Sequence, residues 1–156
     1  MPYGGCAEAS TYRLFESKGE VPAASPEKQR PSIEAEFAPA DPEGMTPRER
    51  ITHVFERLEQ VSQAPSYRGC PYLAVLVELK DLDHPASAVA RTVKQRMEST
   101  FRTQAERGGA ADPDLPARRL MLVYDGASAR AGSGAERLDD GLTRATAGGA
   151  AGRGGG

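Results

Sequence analysis

The chain has 156 residues, of which 38% are hydrophobic and 27% are charged, and its net charge at pH 7 is −2. This length suits one medium-sized domain with a small appendage, and the charge excludes nucleic-acid binding through overall basicity. No apolar run approaches the roughly 20 residues that span a bilayer, and the N-terminus lacks the charged and apolar regions of a secretory signal. We therefore expect a cytoplasmic protein that makes no contact with a membrane.

The first 43 residues contain one short helical candidate and a connector that prolines interrupt. Residues 7–15 could form a helix, which residues 17–19 (SKG) would end. Between residues 20 and 45, only residues 32–37 leave room for a helix, because each proline lacks an N–H and crowds the preceding turn. The interrupting prolines are Pro22, Pro26, Pro31, Pro39 and Pro42.

The first strong helix signal begins at Thr46. Thr46 and Glu49 have the spacing of a capping box, and Pro47 occupies the first helical position, where proline is favoured. The apolar residues that follow share one face of a helix, since they lie three, four and seven positions apart. They are Ile51, Val54, Phe55, Leu58 and Val61. Pro65 is expected to end this helix.

Two further elements are predicted between residues 70 and 109. Residues 70–79 form a short apolar segment, whose length alone fits either a helix or a strand. Asp83-His84-Pro85 then opens a long helix with an apolar residue at every fourth position. These residues are Val89, Val93, Met97, Phe101 and Ala105. Gly108 and Gly109 should close the helix as C-terminal caps.

A fourth helix is predicted from Asp114, with Pro116 in its first turn, where proline is tolerated. Residues 120–124 (LMLVY) are apolar on several faces of this helix. That distribution indicates burial all round, as in a core or at a subunit interface. Residues 132–134 (GSG) are expected to end the helix.

The predicted last helix is weak and runs from Glu136 to Ala147, with Leu138 and Leu142 as its apolar residues. The glycine-rich residues 148–156 are predicted to be disordered. We find no internal repeat and no alternating strand pattern. The predicted fold is therefore all-α.

Two parts of the sequence resemble the TetR family of bacterial transcriptional regulators. Residues 5–21 (GCAEASTYRLFESKGEV) resemble the turn and recognition helix of its helix-turn-helix. Residues 67–72 (YRGCPY), 83–85 (DHP) and 122–127 (LVYDGA) resemble the regulatory domain of one large TetR subgroup. The order and spacing of these motifs are similar from Gly5 to Ala147.

The resemblance implies a division into two functional parts and a tail. Residues 1–43 would be a remnant of the DNA-binding helix-turn-helix with its connector, lacking the first helices of that domain. Residues 44–147 would be a helical bundle for ligand binding and dimerisation, and residues 148–156 the disordered tail. The resemblance also implies DNA-contacting positions, namely Ala9 and Ser10 for the groove and Tyr12, Arg13 and Lys18 for the phosphates.

The resemblance further implies a small-molecule cavity among the helices of residues 44–147. Apolar and aromatic residues with a few polar groups are the usual lining of such a cavity. The candidates are Phe55, Cys70, Tyr72, Leu76, Met97, Phe101 and Tyr124. For each of them, ordinary core packing is the competing interpretation.

Other chemistries find little support in the sequence. Cys6 and Cys70 lack the paired spacing of a zinc or redox motif, and Pro71 with its apolar neighbours favours a buried, inert Cys70 thiol. His53 and His84 lack ligand partners at metal spacing, with His84 expected as a cap or surface group. The acidic residues 139–140 have no opposing nucleophile or carboxylate. We predict no catalytic residues, no metal and no cofactor.

The sequence as a whole predicts a TetR-like repressor that senses an unknown small molecule and binds operator DNA as a homodimer. The dimer is expected to form through the last two helices. With few cations near the recognition helix, the 156 residues alone should bind DNA weakly and without sequence preference, or not at all. Three alternatives remain open: a dimeric ligand-binding module without DNA binding, a gene product whose true start lies upstream, and a small helical enzyme.

Overall fold

A computed structural model describes residues 38–152, which form five α-helices and, within that range, no strand. The helices are α1 (Pro47–Ser62), α2 (Pro71–Glu78), α3 (Pro85–Arg107), α4 (Asp114–Gly132) and α5 (Leu142–Ala150). The all-α prediction is confirmed, and the segment over residues 70–79 is a helix. The predicted recognition helix and the proline-interrupted connector up to residue 37 lie outside the described residues.

The helix starts follow local signals in the sequence. The Thr46 hydroxyl accepts a hydrogen bond from the Glu49 N–H at 3.2 Å, and Glu49 Oε2 accepts one from the Thr46 N–H at 2.7 Å. This reciprocal capping box satisfies two N–H groups that helix geometry leaves unpaired. At α3, His84 Nδ1 accepts from the Ala86 N–H at 3.1 Å, so His84 is a cap.

The last helix differs from its prediction of Glu136–Ala147. Gly141 has φ +77°, a left-handed conformation that a helix interior does not allow, and it is the N-cap of α5. Asp140 Oδ1 accepts from the Leu142 N–H at 3.0 Å. Residues 136–140 are therefore not helical, while Gly148 and Gly149, assigned to the disordered tail, lie within α5.

The main core lies between α1, α3, α4 and α5. Phe55 is at its centre, stacked on Phe101 with ring centroids 5.8 Å apart and in edge contact with Tyr124 at 6.2 Å. The other buried members are Ile51, Val54, Leu58, Met97, Ala117, Leu120, Met121, Leu138 and Ala147. This four-helix part we call the bundle.

A second, smaller core joins α2 to α3. Tyr72 and Val75 of α2 pack against Ala86, Ala90 and Val93 of α3. The alanines allow the two helices to approach closely. Cys70 packs against both cores and therefore marks the seam between them.

A hydrogen bond and an ion pair link α5 to α1. Glu59 Oε1 accepts from the Thr143 hydroxyl at 3.0 Å, and Glu59 Oε2 lies 2.9 Å from Arg144 Nε. The Glu59 side chain is 12% exposed, so these contacts are largely shielded from water. They add polar contacts to the packing of this nine-residue helix.

The connection between α1 and α2 crosses α4 at Gly132. A Cβ atom placed on Gly132 would lie 2.4 Å from the Arg68 carbonyl carbon and 2.4 Å from the Gly69 nitrogen. Gly69 itself has φ +97°. This crossing brings two backbones into direct contact, and only glycine fits at residue 132. As predicted, α4 ends within residues 132–134, with Gly132 as its last helical residue and Ser133 as its C-cap.

Candidate ligand cavities

Two cavities lie on either side of Val93 and Met97. The larger, which we call the α1–α3 groove, has a volume of about 420 Å³. Its lining residues are Ala38, Val54, Val93, Arg96, Met97, Ser99, Thr100 and Phe101. The smaller, the tyrosine cavity, has a volume of about 70 Å³. It is lined by Val61, Tyr67, Gly69, Cys70, Pro71, Tyr72, Val93, Lys94, Met97 and Tyr124.

The helical repeat of α3 places its side chains at both cavities. Val93, Met97 and Phe101 lie four residues apart and therefore share one face of the helix. Val93 and Met97 are 5% exposed and form a common wall between the cavities. Lys94, next to Val93, turns towards α4 and pairs with Asp125.

The structure brings most of the predicted pocket residues together. Cys70, Tyr72 and Tyr124 line the tyrosine cavity, Phe101 lines the α1–α3 groove, and Met97 lines both. Two predicted residues occupy other positions. Phe55 is fully buried in the main core, and Leu76 packs against the smaller core without lining either cavity.

Several lining residues were not predicted from the sequence. Val93 could have been found, because it precedes Met97 by four residues in the same stripe. Lys94 could not have been found in this way, because an apolar pattern does not show which of the charged residues beside it faces a cavity. The remaining unpredicted side chains include Val54, Val61, Tyr67 and Arg96.

Lys94 is the most shielded charged group at these cavities. Its Nζ lies 2.5 Å from Asp125 Oδ1 and 5.1 Å from the centre of the Tyr124 ring. Its side chain is 13% exposed, compared with 31% for Asp125. A carboxylate and an aromatic face therefore stabilise the ammonium group from two directions.

A perturbed guanidinium lies elsewhere in the structure. A hydrogen bond to Asp114 raises the pKa of Arg102, and the negative charge of the same carboxylate adds to the effect. Neither residue lines the two cavities. The pair links α3 to the start of α4 on the exposed side.

The outer side of α4 carries exposed apolar residues. Residues 120–124 were expected to be buried all round, and Leu120, Met121 and Tyr124 do belong to the core. Leu122, in contrast, is 75% exposed. Leu115 on α4 and Leu142 on α5 are also exposed, at 43% and 47%.

The remaining predictions concern DNA contacts, metal binding and membrane insertion. The DNA-contact candidates Ala9, Ser10, Tyr12, Arg13 and Lys18 lie outside the described residues. Within residues 38–152, no three or more His, Cys, Asp or Glu side chains are grouped so that they could hold a metal ion. No helix in that range combines the length and the apolar character that crossing a membrane requires.

Two solved structures are similar to this chain. One is a protein of Streptomyces avermitilis assigned as a TetR transcriptional regulator, with 51% identity, 88% of this chain and 75% of that chain covered, and a TM-score of 0.75. The other is a TetR-family transcriptional regulator of Streptomyces coelicolor, with 22% identity, coverages of 92% and 74%, and a TM-score of 0.71. The second likeness concerns the fold alone. No family model and no curated protein matches the chain.

Proposed function

Because the chain belongs to the TetR family of transcriptional regulators, we propose that it is a repressor whose helical bundle senses a small molecule. Ligand binding would shift the protein between two arrangements that differ in ligand affinity, and thereby release DNA. A regulator of this kind must reach the chromosome, so the proposal includes a cytoplasmic location.

The pair of cavities on either side of Val93 and Met97 is the observation that carries the sensing function. The volume of the α1–α3 groove, about 420 Å³, falls within the usual range of small-molecule sites. Its walls combine the apolar side chains of Val54, Met97 and Phe101 with polar groups at its edge, including Ser99 and Thr100. An apolar body with a few polar contacts is the kind of ligand that such a lining favours.

The sensing function can be tested by thermal unfolding against a library of apolar and amphiphilic small molecules. Compounds that bind the native state should raise the melting temperature by mass action. In the variant Met97→Trp, the larger side chain would occupy space in both cavities, so the rise in melting temperature on adding ligand should disappear. Leu82→Trp is the matched control, because Leu82 is 65% exposed and lines neither cavity. A library without stabilisers would contradict the sensing function.

We also propose a homodimer formed through α4 and α5. Leu115 and Leu122 are seven residues apart on the outer side of α4, and Leu142 adds an exposed apolar side chain from α5. Burial of such residues favours association, and TetR regulators are typically dimeric. Sedimentation at micromolar concentration should give twice the monomer mass, and Leu122→Glu should shift the equilibrium towards the monomer. A monomeric wild type would rule the dimer out.

DNA binding is proposed for the segment that contains Tyr12, Arg13 and Lys18. Arg13 and Lys18 are few cations, and Glu8 and Glu16 lie beside them in the sequence, so weak binding is expected. Because each neutralised phosphate adds about 0.9 to the log–log salt slope, the slope should also be shallow. Gel shifts with the promoter of the protein's own gene, at several salt concentrations, measure both quantities. Tyr12→Ala should weaken binding, and tight binding that this variant leaves unchanged would contradict the assignment.

A further inference from the structure

We propose that the sensed molecule is a carboxylic acid with an aliphatic or aromatic body. Its carboxylate binds Lys94 in the tyrosine cavity, and its body lies in the α1–α3 groove. This inference rests on the proposed sensing function and specifies the chemistry of its ligand.

The charged side chains in the described linings of the two cavities are cationic, and Lys94 is paired with Asp125, which lies outside the lining. Lys94 lines the tyrosine cavity and Arg96 lines the α1–α3 groove, whereas the described part of the chain contributes no Asp or Glu to either lining. The whole chain, in contrast, has a net charge of −2. The two linings therefore offer a ligand N–H donors and, from the described residues, no carboxylate, which favours an anionic over a cationic ligand.

Lys94 has hydrogen-bonding capacity left for such a ligand. An ammonium group carries three N–H donors, and one of them is directed to Asp125 Oδ1. Among residues 38–152, no other side chain or carbonyl accepts a hydrogen bond from Lys94 Nζ. The Lys94 side chain as a whole is only 13% exposed, so few water molecules surround it. A carboxylate in the cavity would accept from the remaining donors, and such charge-assisted bonds are the stronger kind.

The two volumes fit the two ends of an acid. A water molecule occupies roughly 30 Å³ in the liquid, so about 70 Å³ holds a carboxylate group but no ring or long chain. The groove of about 420 Å³ has the room for an apolar body. The polar end therefore belongs at Lys94 and the apolar end beside Phe101.

Met97 lies between the two ends of the proposed ligand. Its side chain lines both cavities, and methionine is unbranched with several rotatable bonds. Rotation of that side chain would connect the two volumes without moving a helix. A ligand that spans the wall is consequently longer than either cavity alone permits.

Calorimetric titration of the full chain with two acids and their matching amides tests this chemistry. Octanoate and 4-phenylbutyrate carry the charge, whereas octanamide and 4-phenylbutyramide have the same bodies with neutral heads. Each acid should bind about tenfold to hundredfold more tightly than its amide, because hydrogen bonds to charged groups are stronger than neutral ones. Lys94→Met should reduce this ratio to about one. Asp125→Asn should keep the preference for the acid, since it frees the third donor of Lys94.

The control removes the same charge at a position away from the cavities. Lys80 is exposed in the turn after α2 and lines neither cavity, so Lys80→Met should retain the preference for the acids. If Lys94→Met fails to fold, Lys94→Met/Asp125→Asn removes both members of the ion pair and should show the same loss. Equal binding of acids and amides by the wild type, or no binding of either acid at millimolar concentration, would overturn the inference. An acid preference that persists without Lys94 would overturn it as well. Neutral stabilisers found in the separate library would still support sensing.

Discussion

The bundle and α2 are held in place by different means. In the bundle, α1 packs against α3, α4 and α5 around large side chains such as Phe55 and Leu58. The eight-residue α2 packs chiefly against α3, on a surface that includes Ala86 and Ala90. Helix α2 therefore buries fewer large apolar side chains than α1, α3 or α4. The tyrosine cavity lies at the seam between these two parts, and its lining includes Cys70, which packs against both cores.

The largest expected contrast is between one truncation in each core. Phe55→Ala should lower the free energy of unfolding by about 3–5 kcal/mol, the usual cost of removing a buried aromatic ring. Val75→Ala in α2 removes far less apolar surface and should cost about 1–2 kcal/mol. Urea unfolding followed by circular dichroism measures both. Equal losses would mean that the two cores contribute equally to stability.

A second contrast tests how α2 is connected to the bundle. Gly132→Ala forces a methyl group against the backbone of Arg68 and Gly69 and should destabilise the protein by about 2–3 kcal/mol. Gly126→Ala in the same helix meets no atom within 4 Å, so better helix propensity should stabilise the protein by about 0.5–1 kcal/mol. Thermal unfolding of both variants gives the comparison. The two substitutions should change the free energy of unfolding in opposite directions. If Gly132→Ala left it unchanged, the close backbone crossing would be refuted.

The smallest contrast concerns the attachment of α5 within the bundle. Glu59→Gln weakens a shielded contact to Thr143 and Arg144 and should cost about 1 kcal/mol. Glu136→Gln removes the 3.5 Å pair with Arg130, whose guanidinium side is 60% exposed, and should cost less than about 0.5 kcal/mol. Both values come from chemical unfolding. If the two variants cost the same, shielding of Glu59 has no effect on stability.

Local signals predicted most of the fold. Thr46, His84 and Gly108 mark ends of α1 and α3 because caps act within a few residues of the sequence. The predicted start of the last helix, Glu136, was wrong, because the helical spacing of Leu138 and Leu142 suggested a continuous helix. Gly141 in a left-handed conformation ends that continuity, and Leu138 enters the core from a loop.

The candidate site was predictable only in part, because its decisive contacts are long-range. Apolar spacing and residue type identified Met97, Phe101 and Tyr124 as cavity candidates. The partner of Lys94 is Asp125, 31 positions away, and no local pattern joins them. The same holds for Gly132, whose need for glycine comes from the backbone of Arg68 and not from α4 itself.

The crossing at Gly132 gives α4 the mechanics of a lever. Its C-terminal end is held by backbone against backbone, whereas its first turn is linked to α3 by the exposed Arg102–Asp114 ion pair, a weak restraint, and only from Ala117 onward by buried side chains. At 1.5 Å per residue, Tyr124 lies about 12 Å from this pivot and Asp114 about 27 Å. If α4 turned as a rigid rod about this pivot, a displacement of about 1 Å at Tyr124 would become about 2 Å at the first turn, which carries Leu115 on its outer side, and it would also displace the buried Ala117 and Leu120. A small change in the tyrosine cavity would be amplified mechanically before it reached that surface.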